Sequence, residues 1–235
     1  MQLDEQQRRA YLDALGITLW LPREQRDDAV NSDAATVEIV QQQSPAQPVS
    51  SLGWDGLRDC VADCRLCELH KGRTQTVFGV GDQDASWMII GEAPGAEEDR
   101  RGEPFVGRAG ALLDEMLRAA GFERKNVYIA NTVKCRPPGN RNPRSEESAA
   151  CRAYLDRQIE LVSPDLILAV GKVAAQNLLG SDEPVGALRG QRHMFGRIPL
   201  IVTYHPAYLL RSPTQKRLVW QDLCLAKMTV AEAGR

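Results

Sequence analysis

Residues of the kind that serve catalysis follow a short apolar run at 87–90. The run predicts a buried strand, and it ends at Gly91, Glu92 and then a proline and a glycine, a composition typical of a strand end that becomes a binding site. Three acidic residues follow at 97–99, and then comes Phe105, with glycines around it that let the backbone approach a ligand closely. Taken alone, this stretch is equally compatible with an ordinary glycine-rich loop between a strand and a helix.

Three later segments repeat this arrangement of an apolar run followed by polar residues. The pattern predicts strands at 86–90, 127–133, 165–170 and 199–204, and helices near 109–120, 143–162, 172–179 and 214–230. We expect Asn142 to cap the second of these helices, with Pro143 in its first position, and Gly121 to end the first.

Alternating strands and helices predict a three-layer α/β/α fold around a central four-stranded parallel sheet. The four strands are followed by Gly91, by a loop from Asn131 to Asn140, by Gly171, and by His205. Because ligands bind beyond the carboxyl ends of parallel strands, these unusual residues are expected to meet at one edge of the sheet.

Composition limits the classes of protein that the chain can belong to. With 235 residues and 43% apolar content, it is long enough for one sizeable core. It shows neither an apolar signal-peptide core at its start nor a run of roughly 20 apolar residues, so we expect a cytoplasmic protein with no membrane span. The net charge of −2 argues against an indiscriminate polyanion binder, although arginines that converge on one face could still bind DNA.

Sequence composition also divides the chain into three parts. We expect a short apolar peptide at 1–22 that docks on a partner, a flexible linker at 23–52 that is rich in polar residues and glutamine, and a single folded domain at 53–235. The domain is expected to be a monomer.

Six cysteines in such a protein indicate metal or redox chemistry rather than disulfides. Cys64 and Cys67 form a Cys-x-x-Cys pair, and Cys135 and Cys151 could complete a four-sulfur site that suits zinc or an iron-sulfur cluster. The spacing lacks the two pairs of a zinc ribbon, which favours a cluster, while four buried free thiols remain an alternative. Cys60 extends the pair to the pattern of radical enzymes that use S-adenosylmethionine, but the large barrel of such enzymes is missing. Cys224 lies in an apolar run and is predicted to be a core thiol.

Four motifs in order, GEAPG, EPFVGRAG, NTVKCRPPGNRNP and YHPAYLLR, closely resemble the family 4 uracil-DNA glycosylases, which are iron-sulfur enzymes. The resemblance covers roughly residues 54–230. It implies a uracil-DNA glycosylase fold and an enzyme that hydrolyses the N-glycosidic bond of deoxyuridine in DNA during base excision repair. It also makes Cys64, Cys67, Cys135 and Cys151 the ligands of a 4Fe-4S cluster, whose implied task is to hold the loop after the second strand.

The resemblance assigns roles around a base that has been flipped out of the DNA helix. Gly91, Phe105 and Asn131 would bind the uracil, with Phe105 stacking on the ring and Asn131 reading its imide edge. His205 would stabilise the departing uracil anion. Glu92, supported by Glu98 and Asn140, would stabilise the positively charged sugar or activate water.

The last motif is expected to contact DNA. Its residues Pro206, Tyr208, Leu209, Leu210 and Arg211 would form an apolar wedge in the minor groove, with the arginine on a phosphate. Ala207 stands where the family usually has serine, which removes one phosphate contact. Lys134 is not placed as a Schiff-base nucleophile, so a monofunctional glycosylase is expected. Arg189, Arg192 and Arg197 are interpreted most simply as a solvated face.

The front of the chain has a shorter resemblance of its own. Residues 10–23 look like the N-terminal peptide of the psi subunit of bacterial DNA polymerase III, which implies the clamp loader as a partner. This leaves an alternative function, a replisome-associated subunit that uses the glycosylase fold as a DNA-binding or structural module. The presence of Glu92, Phe105, Asn131 and His205 favours the enzyme.

Overall fold

The structure, a computed structural model, describes residues 48–233. Residues 1–47 lie outside the described part of the chain. The same holds for the peptide predicted at 1–22 and for most of the linker predicted at 23–52, so these boundaries stay predictions. None of the helices in the part that is described has the length and apolar content needed to cross a membrane.

The described residues form eight α-helices and six strands. The helices are α1 (Trp54–Ala62), α2 (Ala96–Arg101), α3 (Arg108–Ala119), α4 (Ser145–Val162), α5 (Lys172–Leu179), α6 (Val185–Leu188), α7 (Pro206–Arg211) and α8 (Lys216–Ala233). The strands are β1 (Val80–Gly81), β2 (Trp87–Gly91), β3 (Tyr128–Asn131), β4 (Leu166–Val170), β5 (Arg192–Phe195) and β6 (Ile198–Thr203).

The strands form one sheet in the order β1-β3-β2-β4-β6-β5. The four central strands are parallel, as predicted, and each outer strand is antiparallel to its neighbour. The predicted central four-stranded parallel sheet is confirmed, and β1 and β5, which were not predicted, extend it to six strands. The pairing of β2 with β3 places Gly91 directly beside Asn131, so two of the predicted site residues are neighbours at the carboxyl edge.

Helices cover both faces of the sheet, which confirms the three-layer architecture. Every residue of β2 and β4 is buried, because strands covered on both sides present apolar side chains to two cores. On one face Trp87 and Ile89 pack with residues of α3 and α8. On the other face Met88 and Ile90 pack with residues of α4 and α5.

The ends of two helices test the predicted caps. Helix α3 ends before Gly121, which adopts a left-handed backbone (φ 88°), as expected. Helix α4 begins at Ser145, so the start predicted at Pro143 is two residues early. The physical reason is Glu147, whose carboxylate accepts a hydrogen bond from the backbone N–H of Arg144 at 2.8 Å and so caps the helix from inside its first turn.

Two expectations about the region of α8 are also wrong. Cys224 is half-buried rather than a core thiol. Arg189 is not part of a solvated face, because its guanidinium pairs with the fully buried Asp222 at 2.7 Å. That carboxylate also accepts a hydrogen bond from Thr203, two residues before His205.

Candidate active site and cysteine cavity

A cleft of about 400 Å³ opens at the carboxyl edge of the sheet. Its walls include eight of the residues predicted for the site: Glu92, Glu98, Phe105, Asn131, Asn140, His205, Tyr208 and Arg211. They come from the ends of β2, β3 and β6 and from the segments that follow these strands, so parallel strand order brings together residues more than a hundred positions apart.

Gly91 lies beneath this cleft and has room for no side chain. A Cβ atom there would meet Asn131 Oδ1 at 2.5 Å and Phe105 Cζ at 2.5 Å, which is far inside van der Waals contact. Glycine is therefore required so that the amide of Asn131 and the ring of Phe105 can approach each other.

Asn131 has an unsatisfied hydrogen-bond acceptor. Its side chain is 2% exposed, and its Oδ1 is the one buried side-chain oxygen or nitrogen without a hydrogen-bond partner among residues 48–233. Leaving such an atom unpaired costs about 1–3 kcal/mol. A buried acceptor that has no partner and lies in a cleft is suited to accept a hydrogen bond from an N–H group of a ligand.

Phe105 is held in a backbone conformation that is rare for a residue with a side chain. Its φ is 54°, in the left-handed region, and it is 7% exposed. The ring stacks on the imidazole of His205 with the centroids 5.6 Å apart and the planes 28° apart. Strained residues of this kind persist only where the surrounding structure holds them, and they concentrate at functional sites.

The carboxylate of Glu98 accepts hydrogen bonds from backbone N–H groups at the wall of the cleft. Its Oε2 accepts from the N–H of Gly95 at 3.1 Å, and its Oε1 accepts from Val106 at 3.0 Å and from Gly107 at 3.2 Å. Both carboxylate oxygens therefore tie the loop after β2 to the residues that follow Phe105. These contacts describe a positioning residue, and a direct catalytic role for Glu98 stays a prediction.

The contacts of His205 define which of its ring nitrogens carries the proton. Its Nδ1 accepts a hydrogen bond from the backbone N–H of Ala207 at 3.1 Å, which also caps helix α7. Burial, together with the nearby positive charge of Arg211, lowers the pKa of His205 to about 4, against a weaker opposite effect of Glu98. At neutral pH the imidazole is therefore uncharged, with its proton on Nε2 and available for donation.

Glu92 and Asn140 differ in their surroundings. Burial raises the pKa of the Glu92 carboxyl above its ordinary value, because a charged carboxylate is less well solvated there. Asn140 is exposed, has a left-handed backbone (φ 55°), and accepts a hydrogen bond from Arg136 Nε at 2.8 Å through its side-chain oxygen.

Helix α7 separates the residues predicted to contact DNA into two groups. Pro206 and Leu209 are buried, and Leu209 has no exposed surface, so its side chain belongs to the core and cannot act as a wedge. Leu210 is 39% exposed and Arg211 is exposed as well. Tyr208 is half-buried and lines the cleft, with its ring 5.0 Å from that of Tyr204.

The four cysteines predicted as ligands line one further, narrow cavity. Arg73 Nη1 lies 3.0 Å from the sulfur of Cys135, and the backbone N–H of Lys134 lies 3.3 Å from the sulfur of Cys151. Burial raises the pKa of Cys135, and that of Cys151 to about 11. Cys60 does not line the cavity, and its sulfur lies 3.7 Å from the hydroxyl of Tyr154.

Within residues 48–233, no group of three or more His, Cys, Asp or Glu side chains has the arrangement that holds a single metal ion. Four sulfurs that line one cavity are a donor set that suits either a zinc ion or an iron-sulfur cluster.

Three residues near these sites were not predicted as site residues from the sequence. His70 lines the cysteine cavity, with its Nδ1 2.8 Å from the backbone oxygen of Cys67. Lys134 is 1% exposed, and its ammonium donates to the backbone oxygen of Asn131 at 2.9 Å and to Gln158. Arg124 donates hydrogen bonds to the backbone oxygens of Pro104 and Phe105. Only the presence of Lys134 between Asn131 and Cys135 could have indicated a role from the sequence.

The fold and the cleft together define a class, the three-layer α/β proteins whose site lies at the carboxyl edge of a parallel sheet. The family model of the uracil DNA glycosylase superfamily matches residues 78–225. The chain belongs to this superfamily and, by its relatives, to the type-4 uracil-DNA glycosylases.

Five relatives carry the name type-4 uracil-DNA glycosylase, including the following three. The protein of Thermotoga maritima is 44% identical over 178 residues, which cover 74% of this chain and 93% of the relative. That of Archaeoglobus fulgidus is 44% identical over 161 residues, 65% and 81% of the two chains. That of Pyrobaculum aerophilum is 43% identical over 178 residues, 72% and 90%. The resemblance of residues 10–23 to the psi subunit, and the replisome alternative that depends on it, are not supported by these comparisons.

Proposed function

We propose that this chain is a monofunctional uracil-DNA glycosylase, which hydrolyses the N-glycosidic bond of deoxyuridine in DNA and releases uracil, leaving an abasic site. The observation that carries the proposal is the unpartnered Oδ1 of Asn131, which lies beside the ring of Phe105 at the floor of the cleft. Membership of the type-4 family supports the same reaction.

Recognition of the base follows from the hydrogen-bonding pattern of uracil. The N3–H of a flipped uracil donates to Asn131 Oδ1, and its O4 accepts from the amide nitrogen of the same side chain. Cytosine presents an acceptor at position 3 and a donor at position 4, so it would leave the buried oxygen of Asn131 unpaired. Sites built on such pairing reject the mismatched ligand strongly, because the buried polar group then has no partner.

His205 stabilises the leaving group. As the bond between C1′ and N1 breaks, its electron pair passes to uracil and spreads onto the ring oxygens. The Nε2–H of the neutral imidazole donates to the O2 of the base, where negative charge develops. Because the pKa of His205 is about 4, the ring stays neutral and no proton is transferred in this step.

Glu92 acts on the other side of the breaking bond. Its carboxylate accepts a proton from the water whose oxygen bonds to C1′, and the same negative charge stabilises the positively charged sugar before the water adds. Burial raises the pKa of Glu92 and so makes it a stronger base than an exposed glutamate. Asn140 lines the same cleft and is proposed to orient this water. The proton leaves to solvent or to the released uracil anion.

Binding to uracil-containing DNA is proposed to use the exposed end of helix α7. Leu210 and Tyr208 would enter the gap left by the flipped base, and Arg211 would contact a phosphate. The buried Leu209 supports this helix from the core rather than contacting DNA. We propose that the chain acts as a monomer.

The cysteine cavity is proposed to hold a 4Fe-4S cluster through Cys64, Cys67, Cys135 and Cys151. The assignment is supported by four sulfurs that line one cavity and by N–H groups of Arg73 and Lys134 directed at two of them, since such donors stabilise thiolates. When bound, the cluster supplies a rigid cross-link rather than redox chemistry. Cys135 lies four residues after Asn131 and five before Asn140, so holding it restrains the loop that carries both.

A uracil-containing oligonucleotide tests the function. Cluster-loaded protein should convert it to an abasic product that alkali cleaves, and Asn131→Ala should lose this activity with its visible absorption intact. Asn126→Ala, an exposed asparagine before β3, is the matched control and should retain the activity. Absence of an abasic product with the unaltered chain, or wild-type rates in Asn131→Ala, would contradict the proposal.

A further inference from the structure

We infer that Arg124 is a positioning residue for the proposed reaction, which holds the strained backbone of Phe105 so that its ring lies where a flipped base must stack. This inference rests on the proposed function. Arg124 precedes β3 and is 19 positions away from Phe105, outside all four motifs that identify the family.

The guanidinium of Arg124 joins three groups. Its Nη2 donates to the backbone oxygen of Pro104, and its Nη1 donates to the backbone oxygen of Phe105 at 3.3 Å. The same Nη1 pairs with Asp114 Oδ1 on helix α3 at 3.1 Å. With 26% of the arginine side chain and 38% of the aspartate side chain exposed, the contact is partly shielded from water. Two carbonyls and one carboxylate thus share a single planar cation, a task that suits arginine and not lysine.

These contacts act on Phe105, whose left-handed backbone conformation is unfavourable for a residue with a side chain. Phe105 has a φ of 54°, and a Cβ at Gly110 would lie 1.8 Å from the backbone oxygen of Phe105. The carbonyl is therefore packed against the first turn of α3 and cannot easily turn. On the following side, Glu98 accepts the N–H groups of Val106 and Gly107. Four consecutive residues are consequently held through their backbone, two by Arg124 and two by Glu98.

The expected consequence is an effect on the population of the stacking conformation. Without Arg124, the packing against α3 remains, but the hydrogen bonds to the carbonyls of Pro104 and Phe105 no longer offset the cost of the left-handed backbone, so the ring spends part of its time in other positions. Because apparent affinity falls with the fraction of competent protein, kcat/KM for uracil excision should fall on the order of tenfold in Arg124→Ala. Arg124→Lys keeps the charge next to Asp114 but cannot reach both carbonyls, so it should show a smaller loss.

A double-mutant cycle tests whether Arg124 acts through Phe105. Excision is measured for Arg124→Ala, Phe105→Ala and the double variant, with Arg118→Ala as control because its partner Glu115 is an exposed neighbour on α3. If the inference is right, adding Arg124→Ala to Phe105→Ala lowers kcat/KM no further. Losses that multiply, as for independent sites, would overturn it. Thermal unfolding verifies that each variant folds, and Arg124→Lys replaces Arg124→Ala in the cycle if the latter does not.

A second readout does not depend on enzymatic activity. The chain has four phenylalanines, so 4-fluorophenylalanine should give four ¹⁹F NMR resonances, with that of Phe105 identified by its loss in Phe105→Leu. Arg124→Ala should broaden or shift the Phe105 resonance, while those of Phe78 and Phe195 stay unchanged. An unchanged Phe105 resonance refutes the inference even if the chain excises uracil. A shifted one supports it even if the unaltered chain proves inactive, so the two proposals can fail separately.

Discussion

Replacing His205 with asparagine should separate the two tasks of its imidazole ring. Nδ1 accepts from the N–H of Ala207 and caps helix α7, while the protonated Nε2 is free to donate to the base. Asparagine is a favourable N-cap residue and can accept the same backbone N–H. His205→Asn should therefore keep the stability of the helix at pH 7 but lower uracil excision by about 10²–10³-fold, the usual cost of losing one donor to a developing anion.

The same substitution should change how stability depends on pH. Burial lowers the pKa of His205 from 6.5 to about 4, so between these values the unfolded chain binds a proton that the folded chain does not. The folded state is then favoured fully above pH 6.5 and loses this advantage as the pH falls towards 4, by about 3 kcal/mol in total. Between pH 7 and pH 5 the part due to His205 is about 2 kcal/mol.

Urea unfolding of wild type and His205→Asn at pH 7 and pH 5 measures the contribution of His205 to the pH dependence of the free energy of unfolding. Other groups titrate in both proteins, so the difference between the two pH-dependent losses belongs to His205. The wild type should lose about 2 kcal/mol more than the variant. Equal losses would show that His205 is not a buried neutral imidazole, and a large loss of stability at pH 7 would show that asparagine does not replace the cap.

Two further substitutions address the floor of the cleft and the cysteine cavity. Gly91→Ala places a methyl group 2.5 Å from the Phe105 ring. We therefore expect the free energy of unfolding to fall by about 1–3 kcal/mol and uracil excision to fall by a larger factor. An unchanged melting temperature with full activity would contradict the steric conflict at Gly91. Cys135→Ala should lose the iron content and visible absorption of the purified protein together with thermal stability, whereas Cys224→Ala, outside the cavity, should keep all three. An unchanged spectrum in Cys135→Ala would remove that cysteine from the ligand set.

The central sheet was predictable because its strands are covered on both faces. Strands β2 and β4 are continuous apolar runs; β2 ends in Gly91 and β4 is followed by Gly171, so both the strand and its end are visible in the sequence. The edge strands were missed for the opposite reason. β1 has two residues, and β5 alternates between exposed and half-buried positions, so each is defined by the strand beside it and not by its own pattern.

The sequence by itself determined the order of the motifs, the family and the edge of the sheet at which Glu92, Asn131 and His205 meet. These follow from local residue types and from the rule that parallel strands end together. Only the tertiary structure decided that Glu98 binds backbone, and that Leu210 rather than Leu209 is exposed.

The tertiary structure also decided how Phe105 is held and which nitrogen of His205 carries the proton. Arg124 reaches Phe105 from a different element, and the pKa of the imidazole depends on burial by several segments. Hydrogen-bond partners and burial are set by residues that are distant in the chain, and neither periodicity nor a motif encodes those distances.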